Sequence, residues 1–142
     1  LVHGDYRIDN MIFDRATPVC LGVLDWELST TGHPYADLAA VIMQWQLPPG
    51  REGRGLAGLD RSALGLPEDR AFIEAYCRRR GISGIDRFGA YLAFTFFRMA
   101  AILQGVHKRA LDGSASNPEQ GLKLGRYVPI FAEMGLKALR SI

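Results

Sequence analysis

His3-Gly4-Asp5-Tyr6-Arg7-Ile8-Asp9-Asn10 stands at the head of the chain, and Leu24-Asp25-Trp26-Glu27 follows it after two short apolar runs. The first run, Asn10-Met11-Ile12-Phe13, suits a strand. Residues 14–18 carry turn chemistry, and residues 19–26 form the second run, bounded by Ser29-Thr30-Thr31-Gly32. Two apolar runs about a turn predict a β-hairpin. A hairpin returns the end of its second strand to the start of its first, so Asp25 is expected near Asn10 and Asp5. All three side chains offer hard oxygen atoms, the donors that magnesium prefers. A carboxylate beside a hydroxyl can also orient it and take its proton. Acid, amide and acid around one cleft suit phosphoryl transfer, which needs alignment and neutralised charge more than covalent help.

Outward from this segment the chain turns helical. Pro34 opens a helix at its first position, running through Leu38, Ala39, Val41, Ile42 and Trp45 to about Gln46, where Pro48-Pro49-Gly50 ends it. A glycine-rich loop continues to Pro67. Residues 68–80 predict a helix with an apolar stripe of Phe72, Ile73, Tyr76 and Cys77, and Gly81 as its C-cap. Residues 86–111 predict a long buried helix with Phe94, Phe96 and Phe97 in the core. Arg98 on that helix needs a partner, either an internal carboxylate or an acidic substrate group. Ser116-Asn117-Pro118-Glu119 has the pattern of a capping box with an early proline, and a last helix runs from there to near Arg140. The expected fold class is α+β, mostly α: a short β-hairpin followed by about four helices. Residues 1–142 are expected to form a single domain, with 1–33 as the loop and hairpin and 34–142 as the helical part.

Bulk properties narrow the function. The 142 residues are 48% hydrophobic and 23% charged, enough apolar material for a real core. A net charge of +2 argues against nucleic acid or an acidic membrane surface as partner. Cys20 and Cys77 lie in different predicted elements, which disfavours a disulfide and points to a reducing cytoplasm. With His3, His33 and His107 they match no zinc spacing. No signal peptide is visible. Residues 88–106 are apolar enough to suggest a membrane span, but Arg98 near the middle favours a core helix.

The stretch from His3 to Asn10 resembles the catalytic loop of the aminoglycoside phosphotransferase and choline kinase-like family, within the protein-kinase-like fold. Leu24-Asp25-Trp26-Glu27 resembles that family's metal-binding segment, and Gly32-His33-Pro34-Tyr35-Ala36-Asp37-Leu38-Ala39 its following helix start. The wording of these segments, with Phe97-Arg98-Met99-Ala100-Ala101-Ile102-Leu103-Gln104-Gly105-Val106, is most similar to the subgroup found alone in bacteria or fused to acyl-CoA dehydrogenases. The resemblance implies the C-terminal lobe of a kinase-like fold and an ATP- and Mg-dependent phosphotransferase acting on a small-molecule hydroxyl. It implies Asp5 as catalytic base, Asn10 and Asp25 as magnesium ligands, and Asp37 as an anchor accepting hydrogen bonds from the catalytic loop. Arg7 would meet the transferred phosphate, and His3 would tie the loop to its surroundings. His33 stands where the family usually has aspartate, a change that touches helix capping more than chemistry.

Plainer roles stand beside these. Asp37 could simply be an acid favoured by the dipole of a helix's first turn. Asp9 could be a solvated acid or a partner for Arg7. Trp26 is most simply a core or cleft-wall aromatic, and Glu27 a metal ligand, a residue beside the metal, or simply a hydrogen-bond acceptor. Gly53-Arg54-Gly55-Leu56-Ala57-Gly58 matches Gly-x-Gly-x-x-Gly, but with no strand before it and no helix after it a flexible loop is expected. The family's nucleotide-binding N-terminal lobe, with its phosphate-covering loop and strand lysine, has no counterpart in these residues. The 142 residues alone are therefore expected to be inactive and, through an exposed lobe surface, to form a homodimer. The alternative function is a non-catalytic kinase-like binding or interaction module.

Overall fold

The computed structural model of the chain describes residues 1–50 and 53–140. It contains two compact units, Leu1–Asp86 and Arg87–Ile142.

The first unit begins with the predicted hairpin. Strand β1 (Met11–Phe13) pairs antiparallel with β2 (Cys20–Val23), Met11 opposite Val23 and Ile12 opposite Gly22, with a bulge between Ile12 and Phe13. Asp14 closes the connection. Its Oδ1 accepts the N–H groups of Ala16 and Thr17, both at 2.9 Å, and the Thr17 hydroxyl at 3.0 Å. These bonds, the Ala16 amide foremost, hold the Asp14 carboxyl below the ordinary aspartate range. Short 3₁₀ turns flank the strands, Ile8–Asn10 before β1 and Trp26–Leu28 after β2.

Helix α1 (Tyr35–Trp45) buries Leu38, Ala39, Ile42 and Met43 on one stripe, the spacing of a helix with one covered face. Helix α2 (Asp69–Arg80) ends where expected, at Gly81 with φ of 67°. There the Ile82 N–H reaches the Cys77 carbonyl and the Gly81 N–H that of Arg78, so a residue without Cβ satisfies the helix end.

The loop between α1 and α2 departs from the expectation of a flexible segment; its positions 51 and 52 lie outside the described residues. The rest folds back on the end of α1 through backbone bonds: Gly55 N–H to Pro48 O at 2.9 Å, Leu56 N–H to Trp45 O at 2.9 Å and Ala57 N–H to Leu47 O at 3.0 Å. A Cβ at Gly53 would fall 2.0 Å from the Pro48 oxygen, and one at Gly55 1.9 Å from the Leu47 oxygen. The two glycines thus permit a close main-chain approach to the end of α1. Buried Arg61 secures the far side of the loop. It donates to Asp69 Oδ1 at 2.5 Å and lies over the Trp45 ring, while Gln46 donates to Asp69 Oδ2 at 2.9 Å.

The second unit is helical: α3 (Phe88–Leu111), α4 (Pro118–Gly125) and α5 (Val128–Arg140), with α4 and α5 packed on α3. Three expectations change here. The single last helix is two helices, because Pro129 cannot donate a backbone hydrogen bond and its ring would clash with the Gly125 carbonyl in a continuous helix. Among the described residues this raises the number of α-helices from about four to five. The cap of α4 is Asn117, whose Oδ1 accepts the Gln120 N–H at 3.1 Å, and not Ser116. And α3 is not buried all round. Leu92, Thr95, Phe96, Ala100 and Ala110 form its covered stripe, with Phe96 against Phe131, whereas Phe94, Phe97 and Arg98 are exposed. Helix α3 is long and apolar enough to cross a membrane by length and composition alone, and 22% of its most apolar window is buried.

Candidate functional site

The loop ahead of β1 is held from two directions. Asp37, in the first turn of α1, turns its carboxylate away from its own helix. Its Oδ2 accepts the His3 N–H at 2.8 Å and its Oδ1 the Gly4 N–H at 3.0 Å. Gly4 takes φ of 87°, and a Cβ there would meet the Leu28 oxygen at 2.6 Å, so both backbone and space require glycine. His3 is buried at 2% exposure. Its Nδ1 accepts the Asp5 N–H at 3.2 Å, which leaves Nε2 to donate to the Leu24 carbonyl at 2.8 Å. That pattern defines a neutral imidazole carrying its hydrogen on Nε2. One histidine therefore ties the start of the loop to the residue just before Asp25, and the Trp26 ring packs 4.6 Å from it. Val2 and Thr30 exchange backbone hydrogen bonds and close the frame.

Inside this frame lie the three oxygen-bearing residues. Asn10 donates its amide nitrogen to the Asp5 carbonyl at 2.9 Å and to the Asp5 carboxylate at 3.1 Å. Both partners are acceptors, so the amide orientation is fixed and its oxygen faces away from Asp5. The hairpin ladder extends one pair beyond β1 and β2, with Leu24 N–H on the Asn10 carbonyl at 2.8 Å. Asp25 is the next residue. It is exposed and adopts a left-handed backbone, φ 66° and ψ 54°, a region aspartate tolerates better than most side chains. Among the described residues the Asn10 Oδ1 and the Asp25 carboxylate carry no hydrogen bond. Amide and carboxylate oxygens are the kind of hard donor that could hold magnesium, and among the described residues no cluster of three or more His, Cys, Asp or Glu side chains is gathered.

Arg7 and Asp9, also on this loop, pair with each other. A third residue joins them: Arg54 donates from Nη1 to the same Asp9 oxygen at 3.3 Å. Tyr6 packs edge-on to His3, and burial first, then Cys20 and Asp37, push its hydroxyl pKa up. Glu27 is exposed on the 3₁₀ turn. Arg54 and Gln44, which holds the Gly53 and Arg54 carbonyls at 2.8 and 3.2 Å, were not indicated by the sequence. The only signal was the pair of glycines on either side of Arg54.

Residues 1–91 match a family described as "Phosphotransferase enzyme family", and this chain belongs to that family. Among its relatives, mouse (Mus musculus) acyl-CoA dehydrogenase family member 10 is 48% identical over 118 residues, 82% of this chain and 11% of that protein. Chicken (Gallus gallus) acyl-CoA dehydrogenase family member 11 is 43% identical over 145 residues, 100% of this chain and 18% of that protein. The human (Homo sapiens) member 11 is 38% identical over 96% of the chain and 17% of its own length. The chain thus spans less than a fifth of these relatives. No solved structure matches it.

Proposed function

We propose that this chain supplies the base and metal side of an ATP- and Mg-dependent phosphotransferase acting on a small-molecule hydroxyl, as the C-terminal lobe of a kinase-like fold. The Asn10–Asp5 hydrogen bond carries the reading: it orients a carboxylate and, by the same amide, turns an oxygen toward a prospective cation. Family membership supports the reaction class. The relatives' name supports an acyl-CoA-related hydroxyl compound as acceptor.

Asp5 then accepts the proton of the acceptor hydroxyl as that oxygen bonds to the γ-phosphorus of ATP. The bond from that phosphorus to the bridging oxygen breaks and ADP leaves. Asn10 Oδ1 and the Asp25 carboxylate would hold magnesium, which when bound neutralises phosphate oxygens. His3 and Asp37 keep the Asp5 backbone fixed during transfer, the positioning on which such reactions depend. On this reading the phosphate-covering part of the site lies outside these 142 residues.

The test uses the full-length natural protein. Mg-dependent ADP release, screened over hydroxylated metabolites with acyl-CoA-related alcohols first, is expected to reveal an acceptor. Asp5→Asn should then lower kcat by roughly 10²–10⁴-fold, the usual worth of a positioned base, with ATP binding retained. A wild-type rate in Asp5→Asn, or no acceptor-stimulated ADP release, would leave the non-catalytic module as the better reading.

A further inference from the structure

Two guanidinium groups converge on a single carboxylate beside the loop. Asp9 Oδ2 accepts from Arg7 Nη2 and from Arg54 Nη1. Among the described residues, the two guanidinium groups and the one carboxylate carry a net charge of +1 between them. Each arginine has five N–H donors, and each directs one terminal nitrogen at Asp9. Arg7 Nε is buried without an acceptor among the described residues, an arrangement that normally costs free energy unless something else supplies the acceptor.

Arg54 is also placed by its backbone. Its φ is 52°, an unusual conformation for arginine. Its own N–H bonds Gly50 O at 2.9 Å, Gln44 holds its carbonyl, and the glycines on both sides let the main chain press against the end of α1. A side chain needed only for solubility requires no such fixing. Yet the Arg54 side chain is 63% exposed and Asp9 51% exposed. Ion pairs that open to water are weak, so an incoming oxyanion can replace Asp9 at little cost. Guanidinium forks match the paired oxygens of carboxylates and phosphates.

We propose that Arg7 and Arg54 form a seat for the anionic group of the acceptor, a carboxylate or phosphate on the molecule that bears the reacting hydroxyl, with Asp9 as the internal placeholder it displaces. Assigning the anion to the acceptor rests on the phosphotransferase reading; the seat itself does not. Arg7 stands two residues beyond Asp5, so an anion held there keeps its hydroxyl close to the base. Arg7 is thereby directed to the acceptor's anion, in place of the transferred phosphate that the family resemblance implies.

The experiment is calorimetric titration of inorganic phosphate into the full-length protein at low ionic strength. Arg54→Gln is expected to weaken phosphate binding roughly tenfold, the worth of a charge-assisted hydrogen bond. Asp9→Asn removes the competitor and is expected to strengthen binding. A folding defect would weaken both, so the opposite signs identify the seat. Unchanged affinity in Arg54→Gln, or weaker binding in Asp9→Asn, overturns it. Repeating the titration with magnesium and a saturating non-hydrolysable ATP analogue separates the two sources of anion. Phosphate that still binds supports the acceptor assignment, and phosphate displaced by the analogue overturns it. Because binding is read without turnover, an inactive protein would sink the proposed function and leave the seat standing.

Discussion

Asp37 is the residue on which most of the loop's geometry hangs. An acid in a helix's first turn is commonly explained by the helix dipole, and the sequence permits that explanation. Here both carboxylate oxygens instead serve the backbone of residues 3 and 4. Asp37→Ala removes the carboxylate that accepts from two partly buried N–H groups, and each such lost bond costs on the order of 1–3 kcal/mol. Urea unfolding followed by tryptophan fluorescence should show a fall in stability in that range or above it. Asp37→Asn, which retains one acceptor oxygen, should lose less. Equal stability in all three proteins would mean that solvent replaces the carboxylate. At this scale the sequence was informative where spacing mattered: Asp5, Asn10 and Asp25 are brought to one end of the hairpin. It was silent on Arg54, because that contact joins positions 45 residues apart and no local periodicity reports it.

Elements were legible where a single residue type dictates the backbone. Gly81 ends α2 and the paired prolines follow α1 because neither position has an alternative. Competing signals were harder. Ser116 and Asn117 are both good caps, and the box pattern favoured serine; the asparagine wins because Pro118 takes the first helical position directly after it. Asn117→Ala should therefore cost about 1 kcal/mol in thermal or chemical unfolding, and Ser116→Ala much less; the reverse order would place the cap back at Ser116. Pro129 carries the break between α4 and α5, a signal that the apolar periodicity around it masks. For α3 the error lay in the face. Continuous hydrophobicity suggests burial on all sides, whereas among the described residues the fully buried positions of α3 are Leu92, Thr95, Phe96, Ala100 and Ala110.

For the molecule as a whole, the family match and the physical division nearly coincide. The match ends at residue 91 and the first compact unit at Asp86. The chemistry-bearing residues all lie in that unit. Exposed apolar side chains occur in both units, among them Ile8, Leu21, Leu24 and Trp26 in the first and Phe94, Phe97 and Leu136 in the second. Exposed apolar side chains favour association where they gather into one contiguous patch. The isolated 142-residue chain is expected to appear as dimers or larger species in light scattering, increasingly so with concentration. A monodisperse monomer at high concentration would refute this. Such exposure could not be read from composition, since 48% hydrophobic residues describes a covered core and an uncovered face equally well.

The left-handed backbone at Asp25 bears on how that position should be tested. A β-branched or bulky replacement would disturb the turn into residues 26–28 as well as remove an oxygen donor, and its phenotype would mix two causes. Asparagine tolerates the same conformation while losing the charge, and glycine adopts it freely while losing the side chain. Position 25 therefore offers a built-in control, in which electrostatic and conformational contributions can be varied one at a time.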